Sequence, residues 1–260
     1  MPKALTEAEV AQFHEQGFLI PRFRFSEADA ARLHAGVMRI VESNPDLRNK
    51  PITTAHMPRP TPGGGDASLM EWCAREEILD MIEDIDGEDL LLWTTSVFHK
   101  PAVDGVGTPW HQDGQYWPMQ PVCGTSAWVA TTPSNKRNGC LRVLPGTHKA
   151  LKPHVDDTGD RSLFKRVIDP TAFNEADAVD VELEPGQMVL VDSMIAHGAQ
   201  PNTSKETRTG FVMRYMPTHS FFNHEGGDRP SGPPPYADRA LFLMRGIDRC
   251  GRNDFTRNHV

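Results

Sequence analysis

The sequence predicts a mainly β fold of the α+β class, in which helices precede a sandwich or closed barrel of short strands. From residue 90 the chain carries short runs rich in β-branched and aromatic residues, namely LLLWTTSVFHK, TSAWVATT, CLRVLP, QMVLVDSMIAHG and TRTGFVMRYMP. Turn residues separate these runs, and the 260 residues include 21 glycines and 22 prolines. Several strands at close spacing, with no G-x-G-x-x-G motif, favour a sandwich or barrel over a parallel βαβ sheet.

Helical patterns occupy the first ninety residues. Thr6 and Glu9 have the spacing of a capping box and predict a helix that ends at Gly17. A second helix is predicted to begin after Ser26, where apolar residues recur at helical spacing. A third is predicted over residues 68–85, whose apolar side chains form one stripe. We therefore expect the N-terminal third to supply helices that pack against the β core.

A single domain is predicted over residues 1–260, with three parts. A helical part covers 1–88, the β core covers 89–217, and a C-terminal extension covers 218–260. The polar stretch 150–178 is long for a loop, and we predict a partly ordered insertion or lid there. Within the extension, a proline-rich spacer is predicted to precede a helix that starts near Ala237.

Composition and charge exclude several classes of function. Hydrophobic residues make up 38% of the chain and charged residues 24%, and no apolar run approaches the roughly 20 residues of a membrane span. The net charge of −8 argues against binding to nucleic acid. Because charges interrupt the N-terminus where a secretory leader would be apolar, we expect a cytoplasmic protein that acts on a small molecule. The oligomeric state is not predicted. Four widely spaced cysteines are predicted to be free thiols: Cys73, Cys123, Cys140 and Cys250.

His111 and Asp113 form the first candidate site. They are separated by one residue in TPWHQDGQYWP, so an extended backbone places both side chains on one face and Gln112 on the other. The pair offers one imidazole and one carboxylate to the same point. A polar pair at the end of a strand, without a metal, is the simpler interpretation of an isolated His-x-Asp motif, so the motif alone does not establish a metal site.

His197 and Arg208 form the second candidate site. They are 11 positions apart, and the turn-rich stretch between them has its midpoint at Asn202 and Thr203. A hairpin there would place the two side chains next to each other. Because two neighbouring cations repel, this arrangement is reasonable if His197 is neutral and metal-bound while Arg208 serves an anion.

Together these residues supply two imidazoles and one carboxylate, with an arginine close by. This donor set matches the facial triad of non-haem Fe(II) oxygenases, which leaves three metal positions for a bidentate co-substrate and O2. An arginine offers a planar, permanently charged fork to the distal carboxylate of such a co-substrate.

At three stretches the sequence resembles the phytanoyl-CoA dioxygenase family of Fe(II)/2-oxoglutarate-dependent oxygenases. They are FHKPAVDG with TPWHQDGQYWP, TSAWVATTPSNKRNGCLRVLPGTHK, and HGAQPNTSKETRTGFVMRY, and they cover about Leu90 to Tyr215 in the family's order. The resemblance implies a double-stranded β-helix (jelly-roll, cupin-like) core. It also implies cofactor roles for four residues, with iron bound by three of them and 2-oxoglutarate by the fourth. These are His111, Asp113 and His197 for Fe(II), and Arg208 for the C5 carboxylate of 2-oxoglutarate.

Further roles follow from the same resemblance. Lys100 and Trp128 are expected to line the co-substrate pocket. Ala199 departs from the serine that many relatives have after His-Gly, which removes one contact to 2-oxoglutarate. Halogenating relatives lack the carboxylate that Asp113 supplies, so the resemblance implies oxygen insertion or another two-electron oxidation.

Substrate contacts are the least determined part of the site. Gln115, Tyr116 and Trp117 follow the metal motif and are candidates for a substrate wall, although aromatic residues at a strand end pack into the core as often. Arg214 lies six residues after Arg208, on the same face of a regular strand. It is predicted to bind an anionic group of the substrate or a buried carboxylate, and both roles stay open.

The sequence therefore predicts a dioxygenase that uses Fe(II), 2-oxoglutarate and O2 and releases succinate and CO2. The predicted reaction is hydroxylation of an unactivated C–H bond of a small, polar metabolite. One alternative is a zinc- or other metal-dependent hydrolase or isomerase of the cupin type. The other alternative is a family member that binds ligands without catalysis.

Overall fold

The computed structural model describes residues 2–58, 63–157, 166–226 and 236–257. Within these ranges the α-helices are α1 (Glu7–Gln16), α2 (Glu27–Ser43), α3 (Met70–Cys73) and α4 (Glu76–Asp86). The first strands are β1 (Phe18–Leu19), β2 (Ile52–Thr53), β3 (Leu90–Lys100), β4 (Thr108–His111) and β5 (Met119–Gln120). They are followed by β6 (Thr125–Ala130), β7 (Leu141–Val143), β8 (His154–Asp156), β9 (Arg166–Ile168) and β10 (Val179–Val181). The last are β11 (Met188–Asp192), β12 (His197–Ala199), β13 (Arg208–Pro217), β14 (Phe221–Phe222) and β15 (Phe242–Arg245).

Two antiparallel sheets form the β core. The larger sheet has the order β1-β11-β6-β13-β3-β15, with β2 also paired to β3. The smaller sheet has the order β10-β7-β12-β4. The chain passes repeatedly between the sheets, since β3, β6, β11 and β13 lie in the larger sheet and β4, β7, β10 and β12 in the smaller. This arrangement is the double-stranded β-helix, which confirms the predicted fold class.

Strand alternation divides the side chains of the larger sheet between two cores. On β13, Phe211 and Met213 pack in the cluster formed with the N-terminal helices. Val212 faces the other way and packs with Val143 and Val181 of the smaller sheet. Because side chains two apart share a face, Arg208 belongs with Val212 on the inner face, between the two sheets.

The first helix begins and ends as predicted, and the second begins as predicted. Thr6 and Glu9 form a reciprocal capping box, and Gly17 ends α1 in the left-handed conformation with φ of 80°. The Ser26 side chain accepts a hydrogen bond from the backbone N–H of Asp29 at the start of α2. The prediction of one continuous helix over 68–85 was wrong, because Arg75 has an extended backbone that separates α3 from α4. Its guanidinium pairs with Glu77 and Asp29 and lies over the buried rings of Phe25 and Trp72.

The C-terminal extension contains a strand where a helix was predicted near Ala237. The strand β15 pairs with the first residues of β3 and supplies hydrogen-bond partners to a sheet edge that would otherwise be open. Arg245 at its end pairs with carboxylates on α4, including Asp80 at 2.7 Å and Glu83 at 2.6 Å. These sheet and ion-pair contacts outweigh the local helical pattern. In the predicted insertion 150–178, β8 and β9 form a hairpin, while residues 158–165 lie outside the described ranges.

The predicted hairpin between His197 and Arg208 was also wrong. β12 pairs with β4 and β7, whereas β13 pairs with β3 and β6, so the two residues lie in different sheets. The connection between them crosses from one sheet to the other. Asn202, which was expected at the hairpin tip, is buried and donates a 3.0 Å hydrogen bond to the carbonyl of Pro101. It therefore fixes the crossover rather than a tight turn.

The cysteines have the state that the sequence predicts. All four cysteines are free thiols. No helix in the described ranges combines the length and the apolar character that crossing a bilayer would need.

Gly210 provides a test of the inner packing of the larger sheet. A Cβ atom at this position would lie 2.1 Å from Cζ2 of Trp128. We expect Gly210→Ala to lower the free energy of unfolding by about 1–3 kcal/mol, since the indole must move in a packed core. Urea denaturation measures the change. A second substitution, Trp128→Phe, makes room for the methyl group, so the double variant should lose less than the sum of the single losses. An unchanged urea midpoint in Gly210→Ala would contradict this packing.

Candidate metal centre and active-site cavity

His111, Asp113 and His197 converge between the two sheets. His111 ends β4, His197 begins β12, and the two residues are direct partners across these strands. Each of the three side chains offers one ligand atom, and these atoms lie within 4.8 Å of one another. His111 Nε2 is 3.4 Å from Asp113 Oδ1, and the two imidazole centroids are 4.1 Å apart. The structure therefore brings together the three residues that the sequence predicted from two separate segments.

Backbone carbonyls orient both imidazoles. His111 Nδ1 lies 2.9 Å from the carbonyl oxygen of Pro109, and His197 Nδ1 lies 3.0 Å from that of Ile195. A neutral imidazole that donates Nδ1–H to a carbonyl keeps a lone pair on Nε2, the usual state of a metal-binding histidine. Both rings are thus prepared to present Nε2 as a ligand.

Electrostatics gives two of the three side chains, His197 and Asp113, the protonation states that a divalent cation needs. Burial lowers the pKa of His197 to about 4, and the adjacent His111 contributes to the decrease. Burial alone would raise the pKa of Asp113, but the Arg214 guanidinium and the two histidines hold it well below its usual value. At neutral pH His197 is therefore a neutral imidazole and Asp113 a carboxylate, and together with the imidazole of His111 they form a donor set that fits Fe(II) in a facial triad.

Gln112 supports the centre, a role that the sequence did not reveal. Its side chain points away from the two ligands on either side of it, as strand alternation predicts. The amide donates hydrogen bonds to the carbonyls of Met194 at 2.6 Å and Ala150 at 3.0 Å, and its oxygen accepts one from Lys152 N–H at 2.8 Å. These bonds tie the end of β4 to the segment that precedes His197. Two ligand-bearing strands are thereby held in one register.

Arg208 lies on the inner face of β13, as the strand pattern requires. Its Nε and Nη2 donate to the carbonyl of Gly139 at 3.1 and 2.5 Å, and the guanidinium lies 5.3 Å over the ring of Trp128. Among the residues that the structure describes, no carboxylate pairs with it. Burial lowers the pKa of Arg208 to about 10. A buried guanidinium with free donors is suited to bind the carboxylate of a ligand.

Lys100 and Trp128 were both predicted to line the co-substrate pocket. Trp128 lines the same cavity as Arg208, whereas Lys100 does not. It is the direct β3 partner of Arg208, and its amine donates a 2.5 Å hydrogen bond to the carbonyl of Gln200. Burial and the charge of Arg208 lower the pKa of Lys100 to about 7. The carbonyl attracts the amine while Arg208 repels it, so the side chain is held by the crossover before β13 rather than by the pocket.

A cavity of about 670 Å³ is lined by the three candidate metal ligands together with Arg208 and Trp128. Of the predicted substrate residues, Tyr116 and Trp117 are on its wall and Gln115 is not. Gln115 belongs to the turn after the metal motif, where its N–H donates to the carbonyl of Gln112.

Arg214 is on the cavity wall, on the same face of β13 as Arg208. Its Nη2 is 3.4 Å from Asp113 Oδ2, and its Nη1 donates a 2.8 Å hydrogen bond to Ser96 Oγ. Of the two open roles, the structure therefore shows contact with a buried carboxylate, and that carboxylate is one of the candidate metal ligands.

Other residues of the wall lie outside the motifs that predicted the site. Trp93 lies near the start of β3, Arg166 begins β9, and Tyr236 and Arg239 belong to the C-terminal extension. No local pattern marks them, because the packing of the extension and of the insertion brings three of them to the cavity and a β-bulge brings Trp93 there.

Comparisons with known proteins agree with this geometry. The family model described as phytanoyl-CoA dioxygenase (PhyH) matches residues 4–210. The human protein "Phytanoyl-CoA dioxygenase, peroxisomal" is 34% identical over 152 residues, which cover 55% of this chain and 44% of the human protein. The matches to this relative and to its nematode counterpart from Caenorhabditis elegans span 44% and 51% of the relatives' length, which is about half.

Solved structures share the fold over almost the whole chain. The apo form of the non-heme monooxygenase ThoJ has a TM-score of 0.73 at 24% identity and covers 96% of this chain and 88% of its own. CytC3 with Fe(II) and alpha-ketoglutarate has a TM-score of 0.68 at 23% identity and covers 98% of this chain and 94% of its own. The family model matches most of the chain, and the chain has the double-stranded β-helix fold. This chain therefore belongs to the phytanoyl-CoA dioxygenase family.

Proposed function

We propose that this chain is an Fe(II)- and 2-oxoglutarate-dependent dioxygenase that hydroxylates a C–H bond of a small molecule carrying polar groups. The observation that carries the proposal is the convergence of His111, Asp113 and His197 in the cavity that also contains Arg208. When bound, the ferrous ion supplies the redox chemistry that couples conversion of 2-oxoglutarate into succinate and CO2 to oxidation of the substrate by O2. Family membership and the solved complex of CytC3 with Fe(II) and alpha-ketoglutarate support this assignment.

Arg208 is the proposed anchor for the C5 carboxylate of 2-oxoglutarate. Its guanidinium is oriented by the Gly139 carbonyl and by the Trp128 ring, so little side-chain freedom is lost when an anion binds. A metal-dependent hydrolase of the cupin type would leave this buried charge without an anionic partner. For that reason we favour the oxygenase over the hydrolase or isomerase.

Arg214 is a proposed positioning residue. Its contacts with Asp113 and Ser96 hold the carboxylate in one orientation and keep it ionised. The aromatic residues Tyr116 and Trp117 also line the cavity. Such walls exclude bulk water and hold a substrate next to the ligands, which is the contribution expected of the protein in this chemistry.

Turnover in the absence of substrate tests the proposal. Purified protein with Fe(II), ascorbate, 2-oxoglutarate and O2 is expected to release succinate slowly. The same protein with Zn(II) in place of Fe(II), or without O2, is expected to release none. Succinate is measured by chromatography, with the Arg22→Gln variant as control, since the Arg22 side chain is 87% exposed and remote in sequence from the site. No O2-dependent succinate from the iron-loaded protein, with or without a metabolite library, would overturn the proposal.

A further inference from the structure

We propose that the substrate is an organic anion whose carboxylate, or chemically similar group, is held by Arg239, while its hydrocarbon part lies between Arg239 and the metal ligands. The inference rests on the proposed function and names the class of molecule that the dioxygenase would oxidise. Arg239 comes from the C-terminal extension and lines the cavity.

The contacts of Arg239 with the described residues fix its guanidinium, and none of them supplies a negative charge. Nη1 donates a 2.5 Å hydrogen bond to Thr94 Oγ1, and the guanidinium lies 5.7 Å from the ring centroid of Trp93 and 5.5 Å from that of Tyr236. Among the residues that the structure describes, no carboxylate lies within ion-pair distance of Arg239. A guanidinium has five N–H donors, and the hydrogen bonds to the described residues use one of them.

Within the described part of the cavity wall, Arg208 also has no carboxylate within ion-pair distance. The other two arginines on the wall have acidic neighbours, since Arg214 contacts Asp113 at 3.4 Å and Arg166 lies 3.8 Å from Asp156. Burial lowers the pKa of Arg239 to about 10, and repulsion from Arg214 contributes. A charge that is partly removed from water and has no counterion destabilises the folded protein, and a bound anion removes this destabilisation. Arg208 has the proposed co-substrate for this purpose, and Arg239 needs a second anion.

The register of β3 and β13 separates the two anion sites. Arg208 is opposite Lys100, whereas Arg214 is opposite Thr94, the residue that Arg239 contacts. Six residues of strand separate Lys100 from Thr94, which is roughly 20 Å along β3. The Arg239 site is therefore at the opposite end of the inner face from the proposed 2-oxoglutarate anchor, and one ligand does not compete with the other.

The distance from Arg239 to the ligand cluster suits a small molecule. Ser96, which contacts Arg214, and Thr94, which contacts Arg239, are two residues apart on the same face of β3, or roughly 7 Å. Arg214 in turn contacts Asp113. An anion on Arg239 thus places carbons only a few bonds away beside the metal ligands.

Two tryptophans provide an apolar surface for that hydrocarbon part. Trp93 is the additional residue of a β-bulge, because Arg214 pairs with Thr94 and Tyr215 with Leu92. A bulge redirects a side chain from its regular face, and here the indole reaches the cavity wall. Its ring centroid is 4.7 Å from that of Trp117, which lies under the guanidinium of Arg214. The two rings connect Arg239 to the metal end of the cavity.

Matched pairs of neutral and anionic probes test the anchor without turnover. Protein loaded with Mn(II) and 2-oxoglutarate is kept free of O2, and binding of phenylacetate, phenylacetamide, hexanoate and hexanamide is measured by tryptophan fluorescence. We expect each acid to bind at least roughly tenfold more tightly than its amide. Arg239→Gln should abolish the preference, and Arg239→Lys should retain part of it because the charge remains.

The controls separate this proposal from the proposed function. Arg22→Gln should keep the preference for acids, and thermal melting confirms that each variant is folded. Equal affinity for acid and amide, failure of every acid to bind, or a preference that survives Arg239→Gln would each overturn the anion anchor. Failure of the dioxygenase assignment has a different signature, namely no succinate from the iron-loaded wild-type protein, whatever the probes show.

Discussion

Replacing His111 with alanine is expected to lower the affinity for Fe(II) by at least roughly 100-fold and to reduce succinate formation to background. The substitution removes one of three converging ligand atoms, and loss even of an outer partner of a metal ligand costs 10- to 100-fold. Metal affinity is measured by calorimetry with Mn(II) or Fe(II) without O2, and turnover by succinate release.

A histidine outside the cluster provides the matched control. His219 is exposed, and we expect His219→Ala to retain both metal binding and succinate formation. Thermal melting distinguishes loss of the ligand from loss of the fold. If His111→Ala bound the metal as tightly as the wild type, the assignment of the ligands would be wrong.

Replacing Arg208 with glutamine is expected to raise the concentration of 2-oxoglutarate needed for half-maximal turnover on the order of 100-fold, with little change in metal affinity. The variant loses two charge-assisted hydrogen bonds to the co-substrate, each of which contributes about 1.5–3 kcal/mol. Arg208→Lys keeps the charge but not the planar fork, so it should lie between the wild type and the glutamine variant. Succinate release against 2-oxoglutarate concentration gives the first quantity, and calorimetry with Mn(II) gives the second.

Arg22, which is exposed, provides the control for this series. The Arg22→Gln variant should need the same concentration of 2-oxoglutarate for half-maximal turnover as the wild type. The opposite pattern in Arg208→Gln, with weakened metal binding and an unchanged requirement for 2-oxoglutarate, would remove the role assigned to Arg208. It would also favour a metal centre that works without this co-substrate.

The His111 and Asp113 half of the candidate ligand set was predictable because its geometry is encoded locally. Strand alternation alone places His111 and Asp113 on one face and Gln112 on the other, and the structure has this arrangement. The same alternation places Arg208 and Arg214 on one face of β13. Capping residues behave similarly, since Thr6 and Glu9 interact within a single helical turn.

Errors arose where a distant segment decides the outcome. His197 and Arg208 are separated by good turn residues, yet they enter different sheets, because each strand pairs with partners far away in the chain. The helix predicted near Ala237 gives way to β15, which covers the edge of β3. Lys100 turns to the carbonyl of Gln200, a contact that no local pattern contains.

The sequence by itself determined the class of fold, the starts of the first two helices and the face that His111 and Asp113 share, because capping and strand alternation act over a few residues. Tertiary structure alone decided the distance between the two histidines, the support from Gln112, and the arrival of Trp93 and Arg239 at the cavity. The physical reason is that sheet partners, bulges and buried charge pairs depend on residues far apart in the chain. Their energies depend on packing, about which a local sequence pattern contains no information.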